Sequence, residues 1–250
     1  MKTTKSCGFT LVELVVVLVL VAIFVGLILP GSGSHVQVRG RQTAALSNVK
    51  QIILACKIYA TDHNGEYPTY ALNPQTLNPS VAAGRLSPKG GANGAFAELF
   101  PDYLTNETIF CEQGSAFTPT NADNLIDNPI QATPVQTLKQ GENTFAYCTG
   151  LTDTSNSIFP LVADGFANVG SWTYVTSKTQ KGGVWEGKKA VYGLCDGSAI
   201  IGKITASQMT VMGNPVQATA SYFSTSATGT GNQSWLQAGT TTGNNWLNPK

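Results

Sequence analysis

The sequence predicts an α+β fold in which a long N-terminal helix, its first half transmembrane, packs on an antiparallel β-sheet. Three observations predict it. Residues 9–29 are almost wholly apolar, with Glu13 the only charge. Ala45, Leu46, Val49, Ile52, Ile53, Cys56, Tyr59 and Ala60 follow at intervals that keep one stripe of a 3.6-residue helix apolar. Near residue 190, "KAVYGLC" and "SAIIGKI" flank Asp196-Gly197, a favoured two-residue hairpin turn.

The first element follows from length. At about 1.5 Å per residue, the run from Phe9 to Leu29 makes a helix of roughly 31 Å, close to the hydrocarbon thickness of a bilayer. A secretory signal has a shorter apolar core followed by a small-residue cleavage site, whereas this core is longer, with Gly26 near its end and Pro30 and Gly31 behind it. The alternative cleavage point is Gly8, ahead of the core. Residues 1–8 are then a short leader, and its Lys2 and Lys5 favour a cytoplasmic N-terminus against the counterweight of Arg39 and Arg41. Residues 9–30 form the membrane helix.

After the break "PGSGS", residues 31–64 hold the amphipathic second half of the helix, with Asp62, Asn64, Gly65 and Pro68 as its stop signal. Residues 65–213 form an α+β head. Its strand candidates are "TIFC" at 108–111, "TFAYC" at 144–148, "IFPLVAD" at 158–164, "SWTYV" at 171–175 and the two arms of the Asp-Gly hairpin, in a register that sets Tyr192 opposite Ile201 and Leu194 opposite Ala199. A short helix is expected near Ala95 to Phe100. Residues 214–250 are a Ser/Thr/Gly/Asn-rich tail whose Trp235 and Trp246 argue that parts of it dock.

Charge is sparse, with 15 Lys and Arg against 14 Asp and Glu. Loss of the leader removes Lys2 and Lys5 and leaves one net negative charge, so no nucleic-acid partner is expected. Without Cys7, four cysteines remain: Cys56, Cys111, Cys148 and Cys195. Their spacing lacks the close pairs of a zinc site, and a disulfide formed in an oxidising compartment is the expectation. Cys111 and Cys148, in similar short apolar runs, are the first candidates.

No catalytic constellation is visible and no cofactor is expected. His35 and His63 are the only histidines and neither has a nucleophile beside it. There is no G-x-S-x-G, phosphate loop or G-x-G-x-x-G. Asp164-Gly165 and Asp196-Gly197 read as turn chemistry rather than metal ligation, and no metal is expected. Glu13 has two readings. Thr10-Leu-Val-Glu13 matches the capping box, in which the Glu reaches back to the amide at the helix start. Alternatively its charge, costly in a membrane, meets a partner there.

Gly8-Phe9-Thr10-Leu11-Val12-Glu13-Leu14, the two-lysine leader, the apolar helix and Pro30 together resemble the N-terminus of type IV pilins and type II secretion pseudopilins. The resemblance implies cleavage after Gly8 by a membrane prepilin peptidase, methylation of Phe9, a Glu13 that neutralises the Phe9 amino group of a neighbouring subunit, and Pro30 as the helix-bending proline. "IYATDHNGEYP" and "VYGLCDGSAII" are similar to the helix end and the Asp-Gly hairpin of such proteins. "GSGS" after Pro30 departs from the usual continuous helix, and the acidic calcium loop of a major pseudopilin is missing. The implied function is structural: a non-enzymatic, single-pass inner-membrane subunit with a periplasmic head, polymerising with itself or with similar subunits into a type II secretion pseudopilus. Its partners are the peptidase, the membrane lipid and the assembly platform. The alternatives are a type IV pilus subunit, major or minor, and a membrane-tethered periplasmic enzyme or binding module.

Overall fold

The computed structural model describes residues 8–28, 33–68, 91–120, 122–127, 136–213, 219–224 and 246–249. Pro30, Trp235 and the leader up to Cys7 lie outside them. The chain divides into two units, residues 1–40 and residues 41–250.

In the first unit, helix α1 runs Leu11–Ile28. Its large apolar side chains from Leu11 to Val25 are all exposed, at 47–78%. Such a helix, apolar all round, has no polar face to give to water. Its 18 described residues rise about 27 Å, somewhat less than the roughly 30 Å of a hydrocarbon core. Among the described residues, no helix is long and apolar enough to cross a membrane. The 21-residue span expected from the sequence is thus described in part, since its last residue, Leu29, lies outside.

Helix α2 spans Gly33–Asp62. From Arg41 onward it belongs to the second unit, and the expected stripe is its buried face: Ala45, Val49, Ile52, Ile53, Cys56, Tyr59 and Ala60 are at most 4% exposed. Leu46 is half-buried. The helix stops where the sequence places the signal. Asn64 and Gly65 take positive φ of 55° and 83°, and the Gly65 amide returns to the Ala60 carbonyl at 2.8 Å.

Helix α3, Gly91–Ala97, and a 3-10 turn, Glu107–Phe110, precede the strands β1 (Phe145–Cys148), β2 (Pro160–Asp164), β3 (Lys189–Leu194), β4 (Ala199–Thr205), β5 (Thr210–Val211) and β6 (Trp246–Leu247). Among the described residues these strands form one antiparallel sheet in the order β5-β4-β3-β2-β1-β6. β1 and β2 are buried along their whole length, because the sheet is covered on both faces. Gly193 of β3 faces α2, where a Cβ would lie 2.1 Å from Ile53 Cδ1 and 2.5 Å from Val49 Cγ1. The neighbouring Tyr192 points the other way, into Tyr222 and Phe223 at ring-centroid distances of 5.1 and 5.4 Å. Phe166, Tyr174 and Trp246 complete that second aromatic layer.

Three expectations need correction. "TIFC" is a 3-10 turn, because Asn106 caps it by accepting from the Thr108 amide at 2.8 Å. "SWTYV" is no strand, since Trp172 sits at φ +52° and only an isolated bridge, Asn168 to Thr173, forms there. The hairpin has a three-residue loop, Cys195-Asp196-Gly197, closed by Leu194 N–H to Ser198 O at 2.8 Å. Gly197 supplies the positive φ, +94°, of the bulge that follows such a turn. Tyr192 therefore pairs with Ile200, not Ile201, and Gly193 rather than Leu194 lies opposite Ala199.

Gly193→Ala places a methyl where Val49 and Ile53 already sit, so it should destabilise the folded chain by about 1–3 kcal/mol, as overpacking does. A lower denaturant midpoint with an unchanged slope would report it. An unchanged midpoint would mean that α2 does not rest on β3 this closely.

Candidate functional site: the N-terminal junction and the buried carboxylates of the head

Gly8, Phe9 and Thr10 precede the first helical turn and are exposed, Phe9 at 73%. A Cβ on Gly8 would meet nothing within 4 Å. Immediately behind this open junction, Thr10 and Glu13 form a reciprocal cap. The Thr10 amide and hydroxyl donate to Glu13 Oε2 at 2.8 and 2.7 Å, and the Glu13 amide donates to Thr10 Oγ1 at 3.3 Å. The first helical bond, Leu14 N–H to Thr10 O, follows at 3.2 Å. The capping reading of Glu13 therefore holds in the single chain. Oε1 takes no part in the cap, and Glu13 is exposed.

The other sequence candidates are dispersed. Asp196 and Gly197 form the hairpin turn just described, with Asp196 Oδ1 accepting from the Ser198 amide at 2.7 Å. His63 closes the end of α2, stacked on Tyr59 at 3.7 Å with its Nδ1 2.8 Å from the Tyr59 carbonyl. The cysteines at 56, 111, 148 and 195 are not bridged in this structure, and Cys111 and Cys148 are not brought together. The Thr144 amide bonds Phe110 O at 2.9 Å and the Glu112 amide bonds Thr144 Oγ1 at 3.1 Å, which pins residues 110–112 to the start of β1. Cys148 stands at the other end of that strand, about 13 Å further along, beyond the reach of a disulfide.

Two carboxylate groups in the head escaped the sequence reading. Oxygens of Glu107, Asp123 and Glu142 lie within 4.8 Å of one another. This is the place in the described head where three acids could hold a cation, but a cation of the chain is already there. Lys139 Nζ sits 2.5 Å from Asp123 Oδ2, while Glu142 accepts from the Lys139 and Asp123 amides and Glu107 from the Leu138 amide. The three acids order the loops around them.

The second group is Glu112 with Asp164. Asp164, read from the sequence as half of an Asp-Gly turn, instead ends β2 fully buried. Its Oδ2 accepts from Trp185 Nε1 at 2.7 Å and from the Val191 amide at 2.6 Å. Gly165 is needed for room, since a Cβ there would lie 2.5 Å from the Phe117 ring. Asp164 Oδ1 and both Glu112 carboxylate oxygens are buried without a hydrogen-bond partner. Arg41 approaches from α2, stacking its guanidinium 5.5 Å from the Trp185 ring centroid and donating through Nη2 to the Gln113 carbonyl. Burial pushes the Asp164 carboxyl up to about 7, against the pull of its two hydrogen bonds. Burial, and then the charge of Asp164, hold Glu112 well above the usual range, partly opposed by Arg41. Nothing in the sequence signalled this group, because its members are brought together from four distant segments.

Residues 3–29 match the family model described as the prokaryotic N-terminal methylation motif, the prepilin-type signature of type IV pilins and pseudopilins. No curated protein and no solved structure matches the chain.

The carboxyl pair makes stability depend on pH with a definite sign. The fold binds these protons more tightly than the unfolded chain does, so the stabilisation is full below the unfolded carboxyl pKa of about 4 and is lost as pH rises through 7. The stability of the full chain in detergent should fall between pH 5 and pH 8 by an amount on the order of a few kcal/mol, read as a lower thermal midpoint. Glu112→Gln, which supplies a neutral donor at the same place, should flatten that dependence. A midpoint that rises over this range would contradict the shared burial of the two acids.

Proposed function

We propose that the chain is a structural subunit of a type II secretion pseudopilus, inserted in the inner membrane with its head in the periplasm. It is cut after Gly8 on the cytoplasmic side, N-methylated at Phe9 and polymerised through its N-terminal helix. The prepilin-type signature itself implies a prepilin peptidase substrate and assembly into a pilin-type filament. The observation that supports the reading most is the arrangement at the N-terminus. An exposed Gly8-Phe9 junction leads through the Thr10–Glu13 cap into a helix whose apolar side chains are exposed on every side. Such a surface calls for lipid before assembly and for like helices after it.

Membrane insertion uses the whole run Phe9 to Leu29. Any shortfall against the bilayer costs only fractions of a kcal/mol per Å of mismatch, which local thinning absorbs. In the filament the Phe9 amino group of an incoming subunit meets Glu13 of its neighbour. The cap leaves Oε1 for that contact, so the two roles of Glu13 are compatible. A paired charge in a dry bundle adds little net stability, but removing one partner costs about 3–5 kcal/mol and penalises misalignment. The assembly platform and the membrane lipid are the further partners of this cycle.

Intact-mass and N-terminal peptide analysis of the membrane fraction should find a chain beginning at N-methylated Phe9. Recovery of Met1, or of a start beyond Pro30, would sink the reading. Gly8→Val should keep the leader, because the cleavage position then carries a bulky side chain.

Glu13→Gln separates the cap from the charge. The amide oxygen can still accept from the Thr10 amide, so the helix start is retained, and insertion and cleavage should persist. Co-expressed with the unmodified chain, the variant should be abundant in the membrane and absent from isolated filaments. Incorporation at the unmodified level would reduce Glu13 to a helix cap.

A further inference from the structure

The close approach of α2 to β3 carries two buried thiols, Cys56 and Cys195, to the same end of that contact. Val49 and Ile53 fill the space over Gly193. One turn further along the same helix face comes Cys56, at i+7 from Val49 and i+3 from Ile53. Two residues past Gly193, just beyond the end of β3, comes Cys195, the first residue of the hairpin loop. The two elements advance together. Lys57, next to Cys56, donates from Nζ to the Cys195 carbonyl at 2.8 Å and is also the nearest group, at 4.0 Å, to a Cβ placed on Gly197. Cys56 is fully buried and Cys195 is 4% exposed. The Tyr67 hydroxyl, buried without a hydrogen-bond partner, lies close enough to feel the charge of either cysteine.

We propose that Cys56 and Cys195 are the partners of a disulfide that staples the stem helix to the β3–β4 hairpin. Cys148 also feels the charge of Cys195, but it and Cys111 are less well placed to reach that thiol. Cys111 Sγ lies 3.3 Å from the Glu142 carbonyl at the far end of β1. Cys148 is on β1, separated from β3 by β2 and so by two strand spacings, roughly 9.6 Å. The oxidant is a disulfide, carried by a small molecule or by a thiol–disulfide oxidoreductase. The Cys195 thiolate attacks it and expels one oxidant thiolate. Cys56 then attacks the Cys195 sulfur of the mixed disulfide and expels the second. Two cysteine thiols lose two protons and two electrons, and the oxidant disulfide becomes two thiols. Burial pushes the Cys195 thiol up to about 12 and Cys56 higher still, the latter also through the charge of Cys195. The exchange therefore belongs to folding, before α2 docks on the sheet. Closing a loop from residue 56 to residue 195 removes much of the freedom of the unfolded chain.

The test is peptide mapping of the full chain in detergent, refolded in mixed oxidised and reduced glutathione, quenched with acid and alkylated with a maleimide. A Cys56–Cys195 linked peptide, with Cys111 and Cys148 alkylated, is expected. Alkylation of both Cys56 and Cys195, or linkage of either to Cys111 or Cys148, would overturn the proposal. Dithiothreitol should lower the thermal midpoint of the oxidised chain by several degrees and leave Cys56→Ala and Cys195→Ala unmoved. An unmodified chain that ignores dithiothreitol also overturns the proposal. Should either variant fail to fold, the mapping of the unmodified chain decides alone. The pairing does not rest on filament assembly, so its failure would leave the proposed function standing.

Discussion

The contact between α2 and β3 at Gly193 governs the second unit. Because that strand residue has no side chain, Val49 and Ile53 reach the backbone of the sheet, and the buried stripe of α2 from Ala45 to Ala60 follows them down. Both ends of the contact are then secured by polar groups. At one end Lys57 donates to the Cys195 carbonyl, tying the helix to the hairpin loop. At the other end Arg41 stacks on Trp185 and reaches the Gln113 carbonyl. A larger side chain at position 193 would lift the helix and loosen both ties together.

The loops between α3 and β1 show a second economy. Among the described residues there, carboxylates take several backbone amides that no strand pairs. Glu107 accepts from Leu138, Glu142 from Lys139 and Asp123, and Asp127 from Gln136 and Thr137 at 2.7 Å each. In a chain with few charges, acids are used as internal clamps. Glu112 and Asp164 are the costly extreme, since their unmatched oxygens are buried and the proton compensates for what hydrogen bonds do not.

The end of the chain joins the same architecture. Trp246 is 2% exposed in β6, its indole N–H donates to the Phe223 carbonyl at 2.9 Å, and Asn248 exchanges two hydrogen bonds with the Phe166 backbone. A segment whose composition suggests loop thereby covers the edge of β1 and completes the aromatic layer behind the sheet. The tryptophan was a fair signal in the sequence, because a large apolar ring in a polar tail gains most by docking.

What the sequence determined by itself is whatever depends on near neighbours. The prepilin-type start, the buried stripe of α2, its stop at Asn64-Gly65 and strands β1 to β4 all follow from spacing, period or turn chemistry within a few residues, while the Thr10–Glu13 cap was one of two readings the spacing allowed. Three departures were local as well: Asn106 and Trp172 turned two strand-like runs into turns, and Gly197 moved the hairpin register by one residue. The tertiary structure decided the rest. The separation of Cys111 from Cys148, the approach of Cys56 to Cys195 and the burial of Asp164 against Glu112 arose from the docking of distant segments. Side chains far apart in the chain meet only where packing brings their backbones together, and no local pattern records that distance.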